Sequence, residues 1–370
     1  MPGGPPTSAA GLQQRITEME GRLKSQPRDL GAVVLLSDAL LRQSRATNDA
    51  RPANRASDVL NAVLKDEPGQ YDALRMLGAM YLSQHKFREA LDNAMRARDQ
   101  RPSDAWNYGV MGDALVELGE YDKAFDAFDT MMSLRPSATA YARTAYAREL
   151  RGEMAEALEA MRLAFSAAPP QDPEAQAWYA TQLGELLLKM GRVADADREF
   201  RRAVFVYPNY PLAVVGQGKV KVARGERDEA LSIFLDQLKR TQTLDLAARI
   251  GDLYAERGDT ARAERYYQMA EDVAGPAIAQ TEANLALFLA ERGRKLPEAV
   301  TIAETVTRTR HDIFTDDALA WAYFKVGRIA EAQAAATRAV RTGTTDDRIL
   351  SHAAKIREAA ASRAVSGANP

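Results

Sequence analysis

Along most of the 370-residue chain, apolar side chains recur every three or four positions, in stretches punctuated by glycine and proline. Between Ala105 and Leu118 the apolar positions are Tyr108, Met111, Leu115 and Leu118, the stripe of an amphipathic helix. Gly119 ends that helix, because glycine accepts the positive φ of a C-terminal cap without a Cβ clash. A second helix follows from about Asp122, with Ala124, Phe128 and Met131 on its inner face, and Pro136 closes the unit. The pattern predicts a helix–turn–helix hairpin.

That hairpin repeats. The segments GEYDKA, GEMAEA, GRVADA, GERDEA, GDTARA and GRIAEA each place a glycine five residues before an alanine, and the longer GRKLPEA joins them. The glycines are Gly119, Gly152, Gly191, Gly225, Gly258, Gly293 and Gly327, spaced by 33 to 39 residues. In the second copy His85 stands at the glycine position, and in the first Ser44 does. The alanine site is filled in nine copies, by Ala56, Ala90, Ala124, Ala157, Ala196, Ala230, Ala263, Ala299 and Ala332. Only a methyl group fits where two helix backbones approach closely, so a larger side chain there is expected to overpack the hairpin. Four positions on comes a gap-filling residue: Leu60, Ala94, Phe128, Met161, Phe200, Phe234, Tyr267, Ala303 or Ala336.

Nine copies in register resemble the tetratricopeptide repeat over about residues 28–345. The family's first-helix signature is matched best by Leu74, Leu77, Gly78 and Tyr81, then by Tyr108, Met111, Gly112 and Leu115. The resemblance implies an all-α, right-handed superhelical solenoid of stacked hairpins, with the first helix of each repeat (helix A) lining a concave groove. The expected organisation is a disordered tail at 1–8, a capping helix at 9–27, the solenoid at 28–345, a second capping helix at 346–361 and a disordered tail at 362–370. Leu12, Ile16, Met19 and Leu23 stripe the first cap, and Ile349, Ala353, Ile356 and Ala360 the second. An insertion within RATNDARPANR predicts a protruding loop in the first repeat. A second, around APPQDPE, predicts looser stacking between the fourth and fifth, and the sixth repeat ends in KRTQTLDL with no closing proline.

Composition narrows the function by exclusion. The 49 basic and 51 acidic side chains nearly cancel, so no global field favours nucleic acid or an anionic membrane. The absence of cysteine excludes disulfides, thiolate metal sites and cysteine nucleophiles. No stretch approaches the apolar length of a membrane span, so no membrane insertion is expected. The start MPGGPPTSAAG has neither a basic nor an apolar signal region, which makes the cytoplasm the default expectation. A chain whose signal peptide had been removed would look the same. The alternative is therefore a periplasmic scaffold of bacterial type, serving polysaccharide export, secretion or envelope assembly.

Catalytic chemistry is not in evidence. The three histidines, His85, His311 and His352, fall in different repeats or caps without an i,i+4 partner, so neither a metal site nor a histidine base is expected. GQGKVKVARG superficially suggests a phosphate loop but lacks the G-K-[ST] and the preceding strand, and Gly218 falls at a small helix-packing position. The expectation is a protein that is not an enzyme and needs no cofactor.

The groove remains. Concave positions of helix A, carried over from the family onto repeats two to nine, hold ten acids: Asp72, Asp113, Glu117, Glu149, Glu185, Asp245, Asp252, Glu256, Glu291 and Asp317. Four bases share these positions, Arg75, Lys189, Lys219 and Lys325, as do all three tryptophans, Trp106, Trp178 and Trp321, with Tyr146, Phe314 and Phe324. Tryptophan and tyrosine are enriched among binding hot spots. The plainer reading of the same rings is interhelical core. The family's Lys/Asn clamp for a C-terminal carboxylate is missing, since its positions read Arg75 with Ala79 and Gly109 with Asp113. The expected ligand is a protein or peptide segment with basic and apolar side chains. The residues expected to bind it are Trp106, Asp113, Glu117, Tyr146, Trp178, Glu185, Asp252, Glu256, Asp317, Trp321 and Phe324.

Overall fold

Side-chain caps start the first helix of most hairpins, and left-handed turns start the second. In this computed structural model, which describes residues 9–47, 50–279 and 283–366, a polar side chain takes an orphan backbone N–H at the head of helix A. Gln70 accepts from Ala73, Asp104 from Trp106, Ser137 from Ala140, Asp172 from Ala175, Thr243 from Leu246, and Asp312 from Phe314 and Thr315. Thr243 thus marks the boundary after the sixth repeat, where proline is missing. The seven repeat glycines have φ between +66° and +79°, and His85 adopts the same conformation at +57°. At Gly119 the bonding is that of a helix C-cap, with the Gly119 N–H on the Val116 carbonyl and the Glu120 N–H on the Leu115 carbonyl.

The described residues form twenty helices and no strand, an all-α repeat solenoid that divides into two compact units, 1–135 and 136–370. In the first unit α1 (Ala9–Ser25) precedes three hairpins: α2 (Leu30–Thr47) with α3 (Ala50–Asp66), α4 (Tyr71–Ser83) with α5 (Phe87–Gln100), and α6 (Ala105–Glu117) with α7 (Tyr121–Leu134). The second unit begins with α8 (Ala138–Leu150) and α9 (Met154–Ala167), α10 (Pro173–Lys189) and α11 (Val193–Val206), and α12 (Pro211–Ala223) and α13 (Arg227–Leu238). It continues with α14 (Leu244–Glu256) and α15 (Thr260–Ala279), α16 (Asn284–Glu291) and α17 (Leu296–Val306), then α18 (Ile313–Lys325) and α19 (Ile329–Ala339), and ends on α20 (Asp347–Ser366). Gly275, at φ +56°, breaks α15 near its end.

The core of each hairpin is a size match. All nine repeat alanines are at most 3% exposed. Where the gap-filling residue is aromatic, it faces a helix-A glycine 16 positions earlier: Gly112 with Phe128, Gly184 with Phe200, Gly218 with Phe234 and Gly251 with Tyr267. A Cβ on these glycines would lie 2.1 to 2.6 Å from the ring. Gly218→Ala therefore drives a methyl group into Phe234. The expected net loss is about 1–2 kcal/mol, overpacking less the helix propensity that alanine gains. Urea unfolding should show it as a lowered midpoint that Phe234→Leu restores.

The insertions extend helices. In the first repeat the expected protruding loop is taken up almost wholly by the ends of α2 and α3, and residues 48 and 49 lie outside the described residues. The second insertion lengthens α10 to 17 residues against 13 in α4, α6, α8, α12, α14 and α18, and Tyr179 and Leu183 on it still bury into a core shared with Leu158 and Met161 of α9. Helix α20 runs on to Ser366, past the expected end of the cap at 361, so 362–366 is helix; 1–8 and 367–370 lie outside the described residues.

Candidate functional site

Seven of the mapped acids of helix A, Glu149, Glu185, Asp245, Asp252, Glu256, Glu291 and Asp317, meet a basic side chain. In the second unit Glu149 of α8 pairs with Lys189 of α10, and Glu185 of α10 accepts from Lys219 of α12 at 2.9 and 3.0 Å. Asp245 pairs with Arg249 one turn on. Asp252 accepts from Arg292 and, at 2.9 Å, from the Tyr267 hydroxyl, while Glu291 meets the same Arg292 at 3.2 Å. Glu256 pairs with Arg227 at the start of α13. Burial works against the charge on Lys189, but Glu149 outweighs it and holds the ammonium above its ordinary value, with Asp346 and Glu185 adding to the effect. Burial pushes the Tyr267 hydroxyl up to about 12, and the Asp252 charge adds to the rise.

The sequence missed this compensation. Arg227, Arg249, Arg292 and Arg348 lie outside the concave positions carried over from the family, so the count of ten acids against four bases omitted them. One signal was present, Asp245 and Arg249 at i,i+4. The longer pairs, 34 to 40 residues apart, need the stacking of neighbouring repeats to be seen.

The three tryptophans have different fates. Trp106, second residue of α6, is 36% exposed, with the Arg75 guanidinium 4.7 Å over its ring. Arg75 also meets Asp104 at 3.3 Å, and Asp104 accepts from the Tyr71 hydroxyl at 2.6 Å. Burial opposes ionisation of Asp104, yet the Tyr71, Trp106 N–H and Arg75 contacts outweigh it and hold the carboxyl below its ordinary value. Trp178 on α10 is 37% exposed, its ring edge-on to Tyr179 at 5.0 Å. Trp321 on α18 is covered, at 7% exposure, and corrects the expectation of an open ring. Its cause is α20, whose buried Ile349, Ala353 and Ile356 seat that helix on the last hairpin. His352 then stacks flat on the indole at 3.8 Å, and Phe324 stacks on it at 4.9 Å. Asp317 is likewise buried, its carboxylate on Arg348 and on His352 Nδ1 at 2.9 Å, so the cap rather than a ligand satisfies it.

The remaining expected residues, Asp113 and Glu117 on α6 and Tyr146 on α8, are half-buried, as is Phe324. Within the second unit, a cavity of about 270 Å³ lies between the α8–α9 turn and the loop ahead of α20, lined by Leu150, Met154, Lys189, Met190, Phe314 and Arg348 among others. Among the described residues no group of three His, Asp or Glu side chains could hold a metal, and no helix is long and apolar enough to cross a membrane.

A family model for the tetratricopeptide repeat matches residues 110–173 and 181–244. Residues 110–244 thus carry tetratricopeptide repeats over most of their length, and the nine hairpins of the described residues form an all-α solenoid of that repeat type. A chain of the APC/C hetero-tetramer Cut9–Hcn1 is similar in structure, with a TM-score of 0.52 and 14% identity over 94% of this chain, which spans 59% of that one. Human IFIT1, solved as a dimer with m7Gppp-AAAA, has a TM-score of 0.58 and 14% identity over 91% of this chain and 78% of its own. At such identity the likeness is one of fold. No curated protein sequence matches the chain.

Proposed function

We propose that the chain is a non-catalytic interaction scaffold that holds a segment of a partner protein against the helix-A faces of its repeats. Tetratricopeptide repeats typically serve as protein-interaction scaffolds. The observation that carries the reading is the state of two indoles: Trp106 in one unit and Trp178 in the other each keep more than a third of their surface in solvent. Phe128, Phe200, Phe234 and Tyr267 fill glycine-backed slots of the core, whereas the open faces of these two indoles lie at helix-A positions and suit an anchor for an apolar side chain. Basic side chains of the partner would meet Glu185 and Asp252 by exchanging with Lys219 and Arg292. Such exchange replaces one ion pair by another, so added salt should weaken binding less than an uncompensated acidic surface implies.

Affinity capture from the host lysate with wild type and with the Trp106→Ala/Trp178→Ala double variant tests the reading. A protein retained by the wild type and lost from the folded variant supports it. Equal capture by both would show that neither indole holds the partner.

A further inference from the structure

We propose that the second unit is a ring closed by a single weak seam, and that this seam opens to let an internal stretch of polypeptide in from the side. Its biological use rests on the scaffold reading above; the seam itself does not. The turn after α8 meets the loop after α19 through backbone and small side chains. A Cβ on Gly152 would lie 2.6 Å from the Gly343 carbonyl oxygen and 2.8 Å from Thr345 Cγ2, and one on Gly343 would lie 3.5 Å from the Arg151 carbonyl. Successive hairpins of this unit join instead through helix faces with shared apolar cores, one of which runs from Ala230 through Phe288 to Ile356. Beside the seam lies the 270 Å³ cavity, not packed side chains. A joint with a void and a polar edge has the least buried apolar area to lose, so it is the first to part.

The seam loop belongs to one side. Arg341 just ahead of it meets the buried Asp316 of α18 at 2.7 Å, and Ile349 just after it is fully buried. The loop therefore travels with the last hairpin and α20. Across the gap Lys189, paired with Glu149, lines the same cavity as Asp346 and supplies an electrostatic tie that can re-form. A closed ring could be entered only by a chain end. An opening seam admits a segment with folded domains on both sides, which defines the kind of partner.

Both edges of the seam can be wedged. Gly152→Ala adds a Cβ into the Gly343 carbonyl, and Thr345→Trp fills the contact from the other side without left-handed strain. Gly191→Ala is the matched control, since Gly191 has φ +70° and nothing within 4 Å of an added Cβ. The chain has no cysteine, so Glu156→Cys with Leu350→Cys places spin labels across the seam and nowhere else. Pulsed dipolar spectroscopy on the full chain reads the distance, and Arg198→Cys with Asp228→Cys reads an ordinary junction between neighbouring hairpins. Either wedge is expected to move at least half of the seam population to longer distances, with the ordinary junction unchanged and Gly191→Ala like wild type. An unmoved seam distance in both wedge variants overturns the proposal, and so does a shift that Gly191→Ala or the ordinary junction reproduces. Loss of partner capture by the indole variant leaves this measurement unaffected, so the two readings fail separately.

Discussion

Phe200→Ala is expected to destabilise the second unit by about 3–5 kcal/mol, the range for deleting a fully buried aromatic ring. Phe200 is 0% exposed, and its ring lies over two glycines, Gly184 of α10 and Gly216 of α12, whose Cβ positions would fall 2.6 and 2.3 Å from it. One ring thus joins its own hairpin to the next. Truncation leaves a void bounded by backbone on two sides, and backbone in a helix cannot collapse inward as a side chain can. A urea titration followed by far-ultraviolet circular dichroism should show the loss as a lowered midpoint. Adding Gly216→Ala to Phe200→Ala should recover part of it, although Gly216→Ala alone should destabilise. That change of sign is the mark of direct packing between the two.

Trp178→Ala is expected to weaken partner binding by about 2 kcal/mol, roughly 30-fold, with little change in stability. The ring is 37% exposed and its contact within the fold is an edge-on one with Tyr179, so removal takes little from the core. Trp321→Ala should behave oppositely. Both His352 and Phe324 stack on its indole, so the substitution should loosen α20 and lower the melting temperature. Isothermal titration calorimetry with the captured partner, set beside thermal melts of both variants, separates the effects. Equal loss of affinity at both positions without loss of stability would contradict the placement of Trp321 under the cap.

The hairpins were legible because each carries its own signals within a few dozen residues. Gly119, Ala124, Phe128 and Pro136 specify turn, close approach, filler and stop without reference to any other repeat. The match between Gly218 and Phe234 was half legible: each was placed at a packing position, but their pairing across 16 residues became visible only with the helices face to face. The candidate site was harder to read for the same reason. Whether Glu185 is an open acid depends on Lys219, a residue of the next hairpin, and whether Trp321 is an open ring depends on α20, which carries His352 onto it. A carried-over list of concave positions fixes direction along a helix, yet it cannot register what a terminal helix covers or what a neighbour neutralises.

The two kinds of contact also set what can be rearranged. Each ring-and-glycine match within a hairpin would survive transplantation of that hairpin elsewhere in the array, whereas the bonds from Lys189 to Glu149, from Lys219 to Glu185 and from Arg292 to Asp252 each tie a hairpin to the one before it. Shuffled modules would still fold as helix pairs, but without these three native ion pairs at their borders. Charge thereby favours these three neighbours over others, while shape within each copy is set by sterics.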